Sequence, residues 1–279
     1  MNGFISIIFV LFLWWSLTGV ILFIAKQGDF VGGKYHLISS IFSFPIFIGA
    51  WFYYVNSLNA SNLLDIFIAF FASLIIWGWC ELTFLTGIVT GFTGVNLERH
   101  QSEKQRFLNG LKSIIFNEVL LLLCLTIMAF LTVGKANNIG LCAFFILYVA
   151  RISAKLNLFF GVPYINLEFL TSRLRHLEVF CRVAPIGTFF FVSFLVLSGL
   201  FGFLAVIVYS SGNTPTIQLG YFMLSTLAAL AIVEHLFMAI PFRDAKLWNW
   251  MLPKLEDSSK KIKFIERKTS FRRENENGL

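Results

Sequence analysis

Three carboxylates stand inside apolar runs long enough to cross a membrane. They are Glu81 in Trp77-Gly78-Trp79-Cys80-Glu81-Leu82-Thr83-Phe84-Leu85-Thr86-Gly87, Glu118 after Asn117, and Glu234 beside His235. A charge in hydrocarbon is expensive, so an ionisable side chain at such a place is paired, lines a cavity or marks a functional path. The chain also offers two cations, Arg151 and Lys155, spaced i,i+4 and so on one face of a helix, with Asn157 just beyond. These residues admit three readings. As ion pairs they fasten helices together. As a ligand site, Arg151 and Lys155 meet a carboxylate or carbonyl, His235 or Glu81 meets a chlorophyll-type ring or its metal, and Trp77 and Trp79 flank the ring. As a proton or ion path they form a relay.

A metal centre is a weaker match. Glu and His are the right ligands for iron, yet the chain lacks the Glu-x-x-His pair of di-iron bundles. Its four histidines are His36, His100, His176 and His235. Glu234 and His235 are adjacent, so on a helix they diverge by about 100°. No metal site is expected. Cys80, Cys124, Cys142 and Cys181 form no C-x-x-C and lie in or beside apolar runs, as packing thiols do.

The elements that must position these groups follow from composition. The chain has 279 residues, mean hydropathy +0.78, 57% hydrophobic and 13% charged residues. A soluble domain carries about 25% charged residues, so the fold class is an all-α, polytopic integral membrane protein. At about 20 apolar residues per crossing, the runs give about seven transmembrane helices: 3–25, 36–54 with Pro45 as a kink, 63–87, 111–133, 139–160, 186–209 and 217–240. The N-terminal run lacks a basic leader and a cleavage site, which indicates a retained helix. The link 161–185 shows Phe169, Leu170, Leu174, Leu177 and Phe180 near helical spacing, a pattern expected of a segment lying on the membrane surface. The organisation expected is a seven-helix domain over 1–241 and a basic cytoplasmic tail over 242–279.

The net charge of +7 could point to nucleic acid, but the basic residues sit between and after the apolar runs. They are orientation signals and contacts with anionic lipid, and no nucleic acid is expected. With seven spans, every one of the 22 Lys and Arg except Lys135 falls on one side. The positive-inside rule then puts the N-terminus outside and the C-terminus in the cytoplasm. In that register Glu81, Glu118 and Glu234 all lie about 10 Å from the cytoplasmic ends of their spans, at 1.5 Å per residue. Arg151, Lys155, Asn117, Asn157 and His235 share the layer. One polar chamber open to the cytoplasm is expected.

Several stretches match a known family in order along nearly the whole chain. They are Leu11-Phe-Leu-Trp-Trp-Ser-Leu-Thr-Gly-Val-Ile-Leu-Phe23, Trp77 to Gly87, Ala150-Arg-Ile-Ser-Ala-Lys-Leu-Asn-Leu-Phe-Phe-Gly-Val162, Glu168-Phe-Leu with Arg175-His-Leu, Glu234-His-Leu-Phe, Pro241 and Leu247-Trp-Asn-Trp250. In these the chain resembles the PuhE family of photosynthetic complex assembly proteins from purple and related bacteria. The resemblance implies a bacterial inner membrane, cytoplasmic or intracytoplasmic. It implies a role in bacteriochlorophyll supply or in assembling the reaction centre with its light-harvesting antenna. The partners implied are reaction-centre or light-harvesting polypeptides, or enzymes of the pigment pathway, with bacteriochlorophyll or a precursor as the ligand. No catalytic residue carries over. The positions matching the family's motifs are Trp77, Trp79, Glu81, Arg151, Lys155, Asn157, Glu234 and His235; Glu118 joins them by depth. Some relatives carry His before the Glu of span four, where this chain has Asn117. The alternative function is a membrane enzyme of the tetrapyrrole pathway using the same Glu and His as acid–base groups.

Overall fold

A computed structural model describes residues 3–59, 62–92, 102–209, 215–242 and 247–248. Seven helices in it are long and apolar enough to span a membrane: α1 (Gly3–Val31), α2 (Tyr35–Ser57), α3 (Leu63–Leu85), α4 (Glu103–Thr132), α5 (Ile139–Phe160), α6 (Thr188–Tyr209) and α7 (Pro215–Ala239). The protein is therefore a multi-pass membrane protein. Pro45 lies within α2, which runs on through it.

α3 is the hub. It packs against α1, α2, α4, α5 and α7, and half of its spanning window is buried. One apolar cluster gathers Val10, Phe70, Ile146, Met223 and Leu227 from α1, α3, α5 and α7. A second gathers Tyr54, Ile76, Leu121, Met128 and Phe144 from α2, α3, α4 and α5. The outward faces of α2 and α6 present Phe42, Phe52, Leu195 and Val206, as lipid-facing helices do.

In the membrane, polar atoms at helix ends need partners within the chain. Asn137 illustrates this. It is buried; its Nδ2 donates to Ser57 O at 2.9 Å and Asp65 O at 3.1 Å, and its Oδ1 accepts from Ile139 N at 3.2 Å. One side chain thus ties the end of α2 to the starts of α3 and α5. Asn137→Ala strands these groups and is expected to destabilise the protein by about 2 kcal/mol. A thermal unfolding curve in detergent would read this as a lower midpoint.

Two boundaries differ from expectation. α4 starts at Glu103 rather than near 111 because Ser102 and Gln105 form a capping box: Gln105 N donates to Ser102 Oγ at 3.3 Å, and Ser102 N to Gln105 Oε1 at 3.0 Å. α1 continues past Ala25 to Val31, and Gly28 lets the His36 ring lie directly on its backbone. The 161–185 link forms two stretches of 3-10 turns, Leu167–Phe169 and Ser172–Phe180, tied to the bundle. Lys26 Nζ donates to Leu170 O, Thr171 Oγ1 to Leu85 O, and Ser172 N to the Asp29 carboxylate. Leu174 and Phe180 are buried in that contact.

Most of the tail, including its Lys and Arg cluster and Trp250, lies outside the described residues, as do Glu98, Arg99 and His100. Trp248 is 3% exposed and docks on α1. Its Nε1 donates to Trp15 O at 3.0 Å, and Trp15 Nε1 donates to Leu247 O at 3.2 Å.

Candidate functional site

The end of α3 sets the site. Gly87 adopts φ +71°, a left-handed conformation that glycine accepts without strain. Gly87 N bonds to Phe84 O and Ile88 N to Thr83 O, a Schellman stop. The chain then turns onto α4: Phe92 N donates to Lys112 O at 2.9 Å and Asn117 N to Thr90 O at 3.1 Å. Gly91 lies against the α4 backbone at Lys112–Ile114, closer than any side chain permits.

This arrangement fixes two ion pairs on one face of α5. Arg151 Nη1 meets Glu81 Oε1 of α3, and the two side chains are 12% and 18% exposed. One turn on, Lys155 Nζ meets Glu118 Oε1 of α4. Phe84 lies beneath both cations, its ring centre 4.9 Å from the Arg151 guanidinium and 4.8 Å from Lys155 Nζ. Cation–π attraction thus adds to each pair.

The face of α5 bearing Ser153 and Asn157 points elsewhere, about 200° around the helix. Asn157 Nδ2 donates to Ser193 Oγ of α6 at 2.8 Å. His235 Nδ1 lies 2.8 Å from Ala231 O and Nε2 2.6 Å from Ser153 Oγ. A carbonyl only accepts, so Nδ1 carries the proton and Nε2 accepts from the Ser153 hydroxyl. Both ring nitrogens of His235 are thus engaged: Nδ1 within α7, and Nε2 in joining α7 to α5. Glu234 turns the other way and accepts from Trp14 Nε1 of α1 at 3.0 Å.

The polar layer is consequently divided between two cavities. The smaller, about 320 Å³, lies between α1, α3, α5 and α7, with Trp14, Trp77, Glu81, Arg151 and Glu234 in its wall. Arg151 Nε and Nη2 are buried without a hydrogen-bond partner among the described residues. The larger, about 610 Å³, lies between α4, α5 and the 3-10 link, with Phe84, Glu118, Tyr148, Lys155 and Cys181 in its wall. Trp77 and Trp79 do not flank a common space. Trp77 packs edge-on to Phe144 at 5.2 Å. Trp79 faces α2, with its ring 4.4 Å from Phe47 and its Nε1 donating to Ser40 O at 3.4 Å.

Trp14, Phe84, Tyr148 and Ser153 belong to these sites and were not singled out by sequence. Ser153 was the readable one, since Ser153 and Asn157 repeat the i,i+4 spacing of Arg151 and Lys155. Cys181 offers a chemical handle on the larger cavity. Burial, and secondarily the Glu178 carboxylate, push its thiol pKa up, while Arg106 opposes them weakly. Less thiolate is therefore present at any given pH than in a free cysteine. Alkylation of Cys181 by N-ethylmaleimide is expected to be slow near neutrality and to accelerate as pH rises through and beyond 9, read peptide by peptide in a mass spectrometer.

A seven-helix membrane bundle with two charged cavities, on either side of the ion pairs borne by its fifth helix, defines the class. The chain belongs to the DUF3623 family, described as "Protein of unknown function (DUF3623)", whose family model matches residues 1–259. It is 36% identical over 261 residues to the "Uncharacterized 30.4 kDa protein in puhA 5'region" of Rhodobacter capsulatus, covering 94% of this chain and 95% of that one. No solved structure matches the chain.

Proposed function

We propose that this protein is an inner-membrane assembly or pigment-handling factor for the bacterial photosynthetic reaction centre and its light-harvesting antenna. The observation that carries the reading is the near full-length relationship to the Rhodobacter capsulatus protein named for its place in the puhA 5' region. The PuhE-type motifs at Trp77–Gly87, Ala150–Val162 and Glu234–Phe237 support it. The N-terminus faces the periplasmic side and the charged layer the cytoplasm, a placement that the distribution of Lys and Arg supports.

In this reading the smaller cavity is the place of work. Arg151 retains two donors, Nε and Nη2, that have no partner among the described residues, beside Glu81. That fork suits the carboxylate or keto group of a tetrapyrrole, or the backbone carbonyls of a client helix. Binding is a better description than catalysis, because Glu81 and Glu118 are held by cations and both nitrogens of His235 are occupied. His235 is accordingly a helix fastener, and ring recognition falls to Arg151, Glu81 and Trp77.

The test is to purify the protein gently from its own photosynthetic membrane and record its absorption spectrum with a protein inventory. Bacteriochlorophyll-type bands near one per chain, or reaction-centre or antenna polypeptides in the same fraction, are expected. Clean protein with neither contradicts the reading.

A further inference from the structure

Cys80 of α3 and Cys124 of α4 stand apart from the charged cavities, and the assembly role makes no use of them. Their sulfurs lie 4.0 Å apart in the second apolar cluster, with Ile76, Leu121 and Phe144. Cys80 is fully buried and Cys124 is 3% exposed. They are 44 positions apart in the chain, so no local motif announces the pair. The other two cysteines lie elsewhere. Cys142 packs against the first apolar cluster, and Cys181 sits after the 3-10 link with its Sγ 3.8 Å from Leu177 O.

Two thiols in contact can pack, bind a soft metal ion or join. A soft ion needs both as thiolates, two charges among apolar side chains, and among the described residues no group of three His, Cys, Asp or Glu gathers to complete its shell. A disulfide is as neutral as the two thiols it replaces, so the apolar cluster holds it without a buried charge. Its geometry is demanding: the sulfurs must close to about 2.05 Å with their Cα atoms within about 7 Å. α3 and α4 pack directly on each other, and α4 is the one with room to give. Only 22% of its spanning window is buried, against 50% for α3. Leu122, Leu123 and Ile127 on α4 are exposed where lipid lies, so a lipid-soluble oxidant meets this helix one position from Cys124.

We propose that Cys80 and Cys124 form a reversible disulfide that ties α4 to α3 when an organic hydroperoxide enters the membrane. The sulfur of one thiol takes the terminal oxygen of the hydroperoxide. The O–O bond breaks, the alkoxide leaves with the thiol proton as an alcohol, and a sulfenic acid remains. The second sulfur displaces the sulfenic hydroxyl, which leaves as water with the second thiol proton, and the S–S bond forms. Two thiols thus lose two electrons, and one hydroperoxide is reduced to alcohol and water. The bond closes the chain from 80 to 124 into a loop and restricts the unfolded state. It also clamps the helix that carries Glu118 and walls the larger cavity. This lock stands independently of the assembly reading.

The test treats the full-length protein in lipid nanodiscs with tert-butyl hydroperoxide and then blocks free thiols with N-ethylmaleimide. The digest is read by mass spectrometry before and after dithiothreitol. A cross-linked peptide pair carrying Cys80 and Cys124 is expected, about tenfold in excess of any other cysteine pair, because thiol placement decides which sulfurs can join. The thermal unfolding midpoint is expected to rise by several degrees on oxidation and to return with dithiothreitol. Cys80→Ser or Cys124→Ser removes both effects, whereas Cys142→Ser with Cys181→Ser keeps both. If a serine variant does not fold, the peptide map and midpoint of the wild-type protein decide alone. Four results would overturn the proposal: no link between Cys80 and Cys124, another pair predominating, sulfinic acid at either residue in place of the link, or a link that leaves the midpoint where it was.

Discussion

Arg151→Ala is expected to lower the stability of the protein by about 3–5 kcal/mol, the cost of leaving one partner of a buried ion pair alone. Glu81 would then remain as a carboxylate that is 18% exposed, deep in the bundle, with its counter-charge gone. The Phe84 ring, which faces the guanidinium at 4.9 Å, would lose its cation as well. Low abundance in the membrane and a lower unfolding midpoint in detergent are the readouts. Glu81→Ala should be as severe, since it strands Arg151. The double variant Glu81→Met with Arg151→Met is expected to recover most of the loss, because two well-packed apolar side chains cost little where an orphaned charge costs much. This double variant also separates fastening from function. A protein that accumulates normally yet fails to support photosynthetic complexes would assign the pair to the work of the smaller cavity. One that accumulates and works normally would reduce the pair to a fastener.

Gly91→Ala is the second large effect, and its cause is backbone geometry rather than charge. A Cβ at Gly91 would fall on the Lys112 carbonyl oxygen and on the main chain of Ser113 and Ile114, none of which can swing aside. The 88–92 turn would have to lift off α4, breaking the bonds Phe92 N to Lys112 O and Asn117 N to Thr90 O. Overpacking of this kind costs about 1–3 kcal/mol, and the displaced segment leads straight from the Schellman stop that holds Glu81's helix end. Thermal unfolding midpoint and Cys181 alkylation rate should both change, the latter because Glu118 lies just beyond the perturbed turn on α4. Gly199→Ala is the matched control: it sits on α6 with open space around it and should leave both readouts unaltered.

The helices were legible because a membrane span needs a long apolar run and little else; α5 begins and ends at the residues that hydropathy indicates, Ile139 and Phe160. Where helices leave the hydrocarbon, hydropathy is silent and capping decides. Ser102 and Gln105 form a capping box that carries α4 out to Glu103, well beyond the start of the apolar run near Leu111. The spacing of apolar residues in the link 161–185 does not reveal its 3-10 turns, because a free amphipathic helix and a 3-10 segment whose apolar side chains fill a groove share it. Leu174 goes inward because Lys26, Asp29 and Leu85 anchor the surrounding backbone, and those bonds span sequence separations that no local pattern records. Depth along each span correctly put Glu81, Glu118, Arg151 and Lys155 in one layer. It could not say how they pair, because pairing depends on the rotation of each helix. Rotation turned Glu234 toward Trp14 and His235 toward Ser153, and one expected chamber became two cavities.

The most direct test of the proposed role is the near-infrared absorption spectrum of membranes from a strain lacking this protein, grown under photosynthetic conditions and normalised to membrane protein. Reaction-centre and antenna bands are expected to fall several-fold and to return with the wild-type gene. Complementation with Arg151→Met/Glu81→Met at normal protein level should not restore them. Bands of wild-type height in the deletion strain would contradict a role in assembly or pigment supply.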